Sequence, residues 1–188
     1  MDGMILTHGA GSNADAPLLK SVDAAFTAAG FLVERVNLAF RQKRPKGPPH
    51  PSDAAADREG LRSAVEAMRK RVDGRLFLGG HSYGGRQASM AAAEDPSLAD
   101  ALLLLAYPLH PPNKPEQLRV THLPSLRTPS LFVSGAKDPF ATEEELRTAI
   151  RVIPGAVEVM IIPGVGHDLK YGFGSISQLI LGKFQEMV

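Results

Sequence analysis

Six short apolar runs set the fold of this chain: Met4–Thr7, Phe31–Val36, Arg75–Gly79, Ala101–Ala106, Ser130–Ser134 and Val157–Ile162. Each is continuous rather than alternating, as expected for strands covered by helices on both faces. Amphipathic segments lie between them. Leu18, Leu19, Val22, Ala25, Phe26 and Ala29 share one face, behind Pro17 and ahead of Gly30. Leu61, Val65, Met68 and Val72 repeat at helical spacing, and the Ala-rich segment Gln87–Glu94 stops before Pro96. Thr142-Glu143-Glu144-Glu145 is a capping box ahead of Leu146, Ala149 and Ile150; Ser175–Gln178 repeats the signature ahead of Leu179, Ile180 and Phe184. This alternation predicts an α/β fold. The expected form is a three-layer α/β/α sandwich with a mostly parallel sheet of about six strands, in one domain over residues 1–188. Right-handed crossovers bring the carboxyl ends of all its strands to one rim, where ligands bind.

Composition narrows the chemistry. Lys plus Arg is 21 and Asp plus Glu is 20, a net charge of +1, so no broad field favours nucleic acid or an anionic membrane. With 0 Cys, disulfides, thiolate metal sites and a cysteine nucleophile are excluded. No apolar run approaches the ~18 residues of a membrane span. Met1-Asp2-Gly3 does not begin a signal peptide, so a cytoplasmic protein is expected. Two long loops fall on the rim. Phe40–Pro51 carries Arg41, Lys43, Arg44 and Lys46, and reads as a solvated basic surface. Tyr107–Pro129 is rich in proline, with a short helical stretch near Glu116–Val120.

Gly80-His81-Ser82-Tyr83-Gly84 fits G-x-S-x-G. The string alone is a weak signal in a chain with 18 Gly. Its setting is stronger, because it joins the apolar run Leu76-Phe77-Leu78 to a helix, as a nucleophile elbow does. A serine nucleophile needs a base, and the base needs an orienting acid, in chain order Ser, acid, His. Asp138 is the first carboxylate past a strand end downstream of Ser82, and His167 is the one histidine that follows it. Both stand at strand exits. Asp168 reads instead as a helix cap, Glu143–Glu145 as a helix start and His81 as part of the elbow. His50 and His122 lie in proline-rich loops, and His110 is a candidate for the pocket wall. The oxyanion donors expected are the backbone N–H groups of Tyr83 and of Ala10, the latter in Thr7-His8-Gly9-Ala10-Gly11, with His8 tying that loop down. Tyr107, Leu109 and Phe140 are the candidate substrate-lining residues. A competing reading takes Gly9-Ala10-Gly11-Ser12-Asn13-Ala14 as a dinucleotide fingerprint with Glu34 on the ribose, as in an oxidoreductase. It requires a helix to begin within the fingerprint, and Pro17 comes too late.

Together these segments resemble the α/β-hydrolase superfamily, over nearly the whole chain. Gly80-His81-Ser82-Tyr83-Gly84-Gly85-Arg86, Tyr107-Pro108-Leu109-His110-Pro111-Pro112, Leu131-Phe132-Val133-Ser134-Gly135 and Asp138-Pro139-Phe140 look like its small, capless, dienelactone-hydrolase-like branch, which includes the testis-expressed-protein-like hydrolases. The resemblance implies a Ser82–Asp138–His167 triad and a sheet in which the first two strands are swapped. It also implies a minimal version of the fold that lacks the two usual N-terminal antiparallel strands. The less protected sheet edge makes a homodimer or a truncated start conceivable. Dienelactone hydrolases proper carry Cys at the position of Ser82. The expected function is a serine hydrolase, carboxylesterase- or thioesterase-like, whose partner is a small-molecule acyl substrate. No cofactor, metal, nucleic acid or membrane is expected. A non-catalytic binding or scaffold protein is the alternative from another class.

Overall fold

The computed structural model describes residues 1–170 and 173–188. In chain order the elements are β1 (Gly3–Thr7), α1 (Pro17–Ala28), β2 (Leu32–Val36), α2 (Ala39–Lys43), α3 (Ala54–Arg69), β3 (Leu76–His81), α4 (Tyr83–Glu94), β4 (Ala101–Leu105), β5 (Ser130–Gly135), α5 (Glu143–Ala149), β6 (Val157–Ile162) and α6 (Phe173–Met187). The strands form one sheet in the order β2-β1-β3-β4-β5-β6, and every neighbouring pair is parallel. The first two strands are indeed swapped.

The continuous apolar runs divide by parity. Ile5, Leu78, Leu102, Leu104 and Phe132 face a core completed by α3, α4 and α5. Their neighbours Met4, Leu6, Phe77, Leu103, Leu105, Leu131 and Val133 face a second core with α1 and α6. Each central strand therefore buries both of its faces, which is why apolar residues run through it without alternation. The outer strands β2 and β6 are only partly covered and carry Glu34 and Glu158. No helix among the described residues is long and apolar enough to cross a membrane.

Local signals account for most boundaries. Pro17 opens α1, where its missing N–H costs nothing. Thr142 caps α5: its Oγ1 accepts from the Glu145 N–H at 3.2 Å, and Glu145 returns the bond to the Thr142 N–H at 2.8 Å. Three expectations need correction. The segment Glu116–Val120 is turn rather than helix, and the short helical turn lies at Leu123–Ser125 instead. Helix α6 already runs at Phe173, so Ser175 sits inside it and is not its cap. The start of the loop read from Phe40 is the helix α2, held by Asp57, which accepts the Phe40 N–H at 2.9 Å.

The sheet order fixes where ligands can sit. From β1 the chain moves outward to β2, then returns to the other side of β1 as β3. The crevice between the carboxyl ends of β1 and β3 is the switch point of the sheet. Thr7 pairs with Gly80 there, so the loops leaving both strands meet at that spot.

Candidate active site

Ser82 is the single residue between β3 and α4. Its backbone has φ 51° and ψ −118°, a conformation that L side chains rarely adopt and that costs of order 1–3 kcal/mol. Hydrogen bonds hold it there. The Ser82 N–H donates to Leu105 O at 2.8 Å, and Ser82 O accepts from the Arg86 N–H at 3.0 Å. The flanking glycines allow the tightness. A Cβ on Gly80 would lie 2.6 Å from the Gly84 carbonyl carbon, and one on Gly84 would lie 2.4 Å from His8 O.

The three residues picked out by chain order meet here. Ser82 Oγ and His167 Nε2 are 2.7 Å apart. His167 Nδ1 lies 2.8 Å from Asp138 Oδ2 and 2.9 Å from Oδ1. The Asp138 side chain is fully buried, and its Oδ1 also accepts the Phe140 N–H at 2.8 Å. With a carboxylate beside it, Nδ1 carries the ring proton and donates, leaving the Nε2 lone pair free to accept the serine proton. The His167 loop is anchored on both sides: Val165 and Leu169 are buried in the core, and the Lys137 N–H donates to Val165 O at 2.9 Å. His81 Nε2 donates to His167 O at 2.8 Å, and the Phe140 ring stacks on the imidazole at 4.0 Å.

The loop after β1 is equally constrained. The Leu38 N–H donates to His8 Nε2 at 3.1 Å, so His8 Nδ1 bears the proton and donates to Gly9 O at 2.8 Å. The Ser12 N–H donates to the same carbonyl. In a trans peptide the N–H points opposite to the C=O. Fixing the Gly9 carbonyl therefore fixes the direction of the Ala10 N–H. Ala10 O is held by Arg41 Nη2 at 2.9 Å. Tyr83 begins α4, so its N–H has no acceptor within the helix. Gly9 lies against Ser82: a Cβ there would sit 3.4 Å from Ser82 Cβ.

A cleft of about 450 Å³ opens over Ser82, lined by Ala10, Tyr83, Arg86, Pro108, Arg119 and Phe140, with Pro48 to Pro51 on one side. Phe140 lines it as expected; Tyr107 and Leu109 do not. Tyr107 turns inward behind Ala106, packs on Phe132, and donates its hydroxyl to Arg119 O at 2.7 Å. Leu109 is buried in the core. His110 is buried as well, 3.2 Å from Glu145 Oε2. Asp168 accepts from the Lys170 N–H in a local turn. The loop read as dinucleotide-binding is not followed at once by a helix, and Glu34 pairs with Arg71 from the middle of the edge strand β2, short of its exit. Among the described residues no group of three or more His, Asp or Glu side chains could hold a metal ion.

Two supporting residues escaped the sequence reading. Arg41, read as solvated, is 7% exposed and donates to the carbonyls of Ala10, Ser12, Arg44 and Gly47. Asp57 is fully buried and accepts the Tyr83 hydroxyl at 2.7 Å, so it ties α2 to α4, the helix that follows Ser82. The signal for Asp57 was its place one helical turn before Leu61, on the apolar stripe.

Burial holds three of the other histidines toward the neutral form. His8 and His81 are held below the ordinary imidazole value by desolvation. His122 is pushed down to about 4, first by burial and then by the charges of Arg86 and Arg58. Ser89 Oγ donates to Arg86 O, and His122 Nε2 donates to Ser89 Oγ at 2.8 Å. Between pH 6.5 and about pH 4 the unfolded chain therefore binds more protons at His122, and stability falls as the pH falls. His122→Gln removes of order 2 kcal/mol of that loss, as measured by urea unfolding at the two ends of the window. An unchanged pH slope contradicts the assignment.

A serine, an imidazole and a buried carboxylate on the rim of a parallel α/β sheet define the α/β-hydrolase class. The chain belongs to the alpha/beta hydrolase domain family, whose model matches residues 1–175. Solved structures agree in fold. Est1E from Butyrivibrio proteoclasticus, determined with ferulic acid bound, superposes with a TM-score of 0.78 at 15% identity, covering 100% of this chain and 89% of that one. A dienelactone hydrolase from Anabaena variabilis gives 0.75 at 21% identity, covering 100% and 87%. An α/β serine hydrolase without a lid from Xanthomonas campestris gives 0.75 at 16%, covering 97% and 81%. Family and fold place the chain among the hydrolases.

Proposed function

We propose that the protein is a serine hydrolase of small ester, thioester or related acyl compounds, acting through Ser82, His167 and Asp138. The observation that carries this reading is the unbroken relay, 2.7 Å from Ser82 Oγ to His167 Nε2 and 2.8 Å from Nδ1 to Asp138. Ser82 Oγ attacks the carbonyl carbon as its proton passes to Nε2. The Tyr83 and Ala10 N–H groups stabilise the tetrahedral oxyanion, and loss of one such donor raises the barrier by about 3–4 kcal/mol. Asp138 keeps the ring in the accepting tautomer and stabilises the imidazolium. The imidazolium then protonates the leaving alcohol or thiol, and the acyl group remains on Ser82. Water attacks this ester as Nε2 takes its proton, the acid departs, and the proton returns to Ser82 Oγ. Every side chain and backbone donor assigned a role in this cycle belongs to the chain; the water comes from solvent. No domain-sized insertion separates the described elements, which supports a place in the capless, dienelactone-hydrolase-like branch.

A fluorophosphonate probe tests the reading. The wild type takes one covalent label on Ser82, and Ser82→Ala takes none. p-Nitrophenyl esters of short acids turn over faster than the matching amides. A folded wild type that stays unlabelled contradicts the proposal and favours the non-catalytic alternative.

A further inference from the structure

The cleft beside Ser82 holds more positive charge than a neutral ester requires. Arg86 stands one helical turn beyond Ser82 on α4, and Arg119 comes from the segment between β4 and β5; both line the cleft with Ser82. Among the described residues no carboxylate lies within 4.0 Å of either guanidinium. Among the described residues the Arg119 side chain makes one weak hydrogen bond, from Nη1 to Pro108 O at 3.4 Å. Among the described residues the buried Nε of Arg86 has no hydrogen-bond partner. Two like charges held together in a partly buried site repel. Burial, and next the charge of Arg86, hold Arg119 below its ordinary value, and Arg86 helps keep His122 neutral.

Gln87 adds a third donor to the same wall. It is 1% exposed and lines the cleft. Its Oε1 accepts from Arg58 Nη1 at 3.1 Å. Arginine only donates, so the amide orientation is fixed and the NH₂ group faces elsewhere. That Nε2 is buried, with no hydrogen-bond partner among the described residues. The nearby carboxylates are already engaged. Asp57 accepts from Phe40 and Tyr83, Asp53 pairs with Arg44, and Glu94 pairs with Arg58 and Arg62. The wall thus offers donors with no anion to receive them. Unpaired buried donors are costly, and guanidinium pairs suit the planar or tetrahedral oxygens of a carboxylate or phosphate.

We propose that Arg86, Arg119 and the Gln87 amide form an anion-binding subsite, and that the substrate carries a carboxylate or phosphate group near its scissile acyl bond. The assignment of the anion to the substrate rests on Ser82 being the nucleophile. The subsite holds the anion in both ground and transition states, so it acts mainly through KM.

Calorimetric titration of Ser82→Ala, which binds without turnover, tests the subsite directly. The ligands are methyl hydrogen glutarate, methyl 4-phosphonobutanoate and the neutral isostere methyl 5-methylhexanoate. At least one anionic ester binds about 10- to 100-fold more tightly than the neutral one, and the tighter of the two identifies the anionic group. In the same background Arg86→Gln with Arg119→Gln abolishes the preference, and Arg119→Lys alone retains part of it. Equal binding of all three esters overturns the proposal, whatever the folding of the arginine variants. So does a preference that survives the double substitution. A wild type that resists fluorophosphonate while its Ser82→Ala form prefers the anions keeps the subsite and rejects the nucleophile. A labelled wild type with no preference for charge does the reverse.

Discussion

Ser82→Ala lowers kcat for p-nitrophenyl butyrate by about 10⁶, by analogy with other triad enzymes. The size of the effect follows from the absence of a substitute. Tyr83 carries the next hydroxyl along the chain, but it donates to the buried Asp57, and burial together with that carboxylate raises its ionisation well above the ordinary phenol range. Neither His81 nor His8 is free to attack, since each has its ring engaged in backbone hydrogen bonds. The fold survives, because the backbone bonds that hold the turn, from the Ser82 N–H to Leu105 O and from the Arg86 N–H to Ser82 O, do not involve the hydroxyl. Steady-state kinetics beside a thermal melt check both halves. A loss of less than tenfold rejects Ser82 as the nucleophile.

Asp138→Asn reduces kcat by about 10⁴ while leaving the site assembled. The geometry explains why so small a change has so large an effect. Oδ1 of residue 138 accepts the Phe140 N–H, and only an oxygen can do that. An asparagine keeps its carbonyl oxygen on this bond and turns its NH₂ group toward His167 Nδ1. Nδ1 must then accept, the ring proton moves to Nε2, and Nε2 can no longer take the proton of Ser82. The expected result is a large loss of kcat with little change in melting temperature. A variant that keeps more than a tenth of wild-type kcat contradicts the role given to Asp138.

The strands and the order of residues at their ends were legible, because both depend on local pattern. An apolar run of four to six residues ended by glycine or a carboxylate marks a strand exit wherever its neighbours lie. Ser82, Asp138 and His167 were picked out by the elbow motif and by their chain order at strand exits, and Phe140 stands two residues beyond Asp138 in the same turn. Tyr107 and Leu109 show where the rule stops. They follow β4 at the right place, but Ala106 takes φ 49° and sends the chain back into the core. The partners that draw them inward, Phe132 and Arg119 O, are distant in sequence and silent in it. Arg41 was misread for the same reason. In a basic run it looks solvated, and only the fold brings Ala10 O, Ser12 O and Gly47 O around it. The pairing of Arg86 with Arg119 likewise joins a helix to a loop and has no local signature.

The most direct test of the central claim is to catch the acyl group on its way through the site. Wild-type protein mixed with p-nitrophenyl butyrate, quenched with acid before the steady state and mapped by peptide mass spectrometry, carries a butyryl ester on Ser82. In Ser82→Ala the adduct is absent. An active wild type that shows no acyl adduct, or shows it on another residue, contradicts the account.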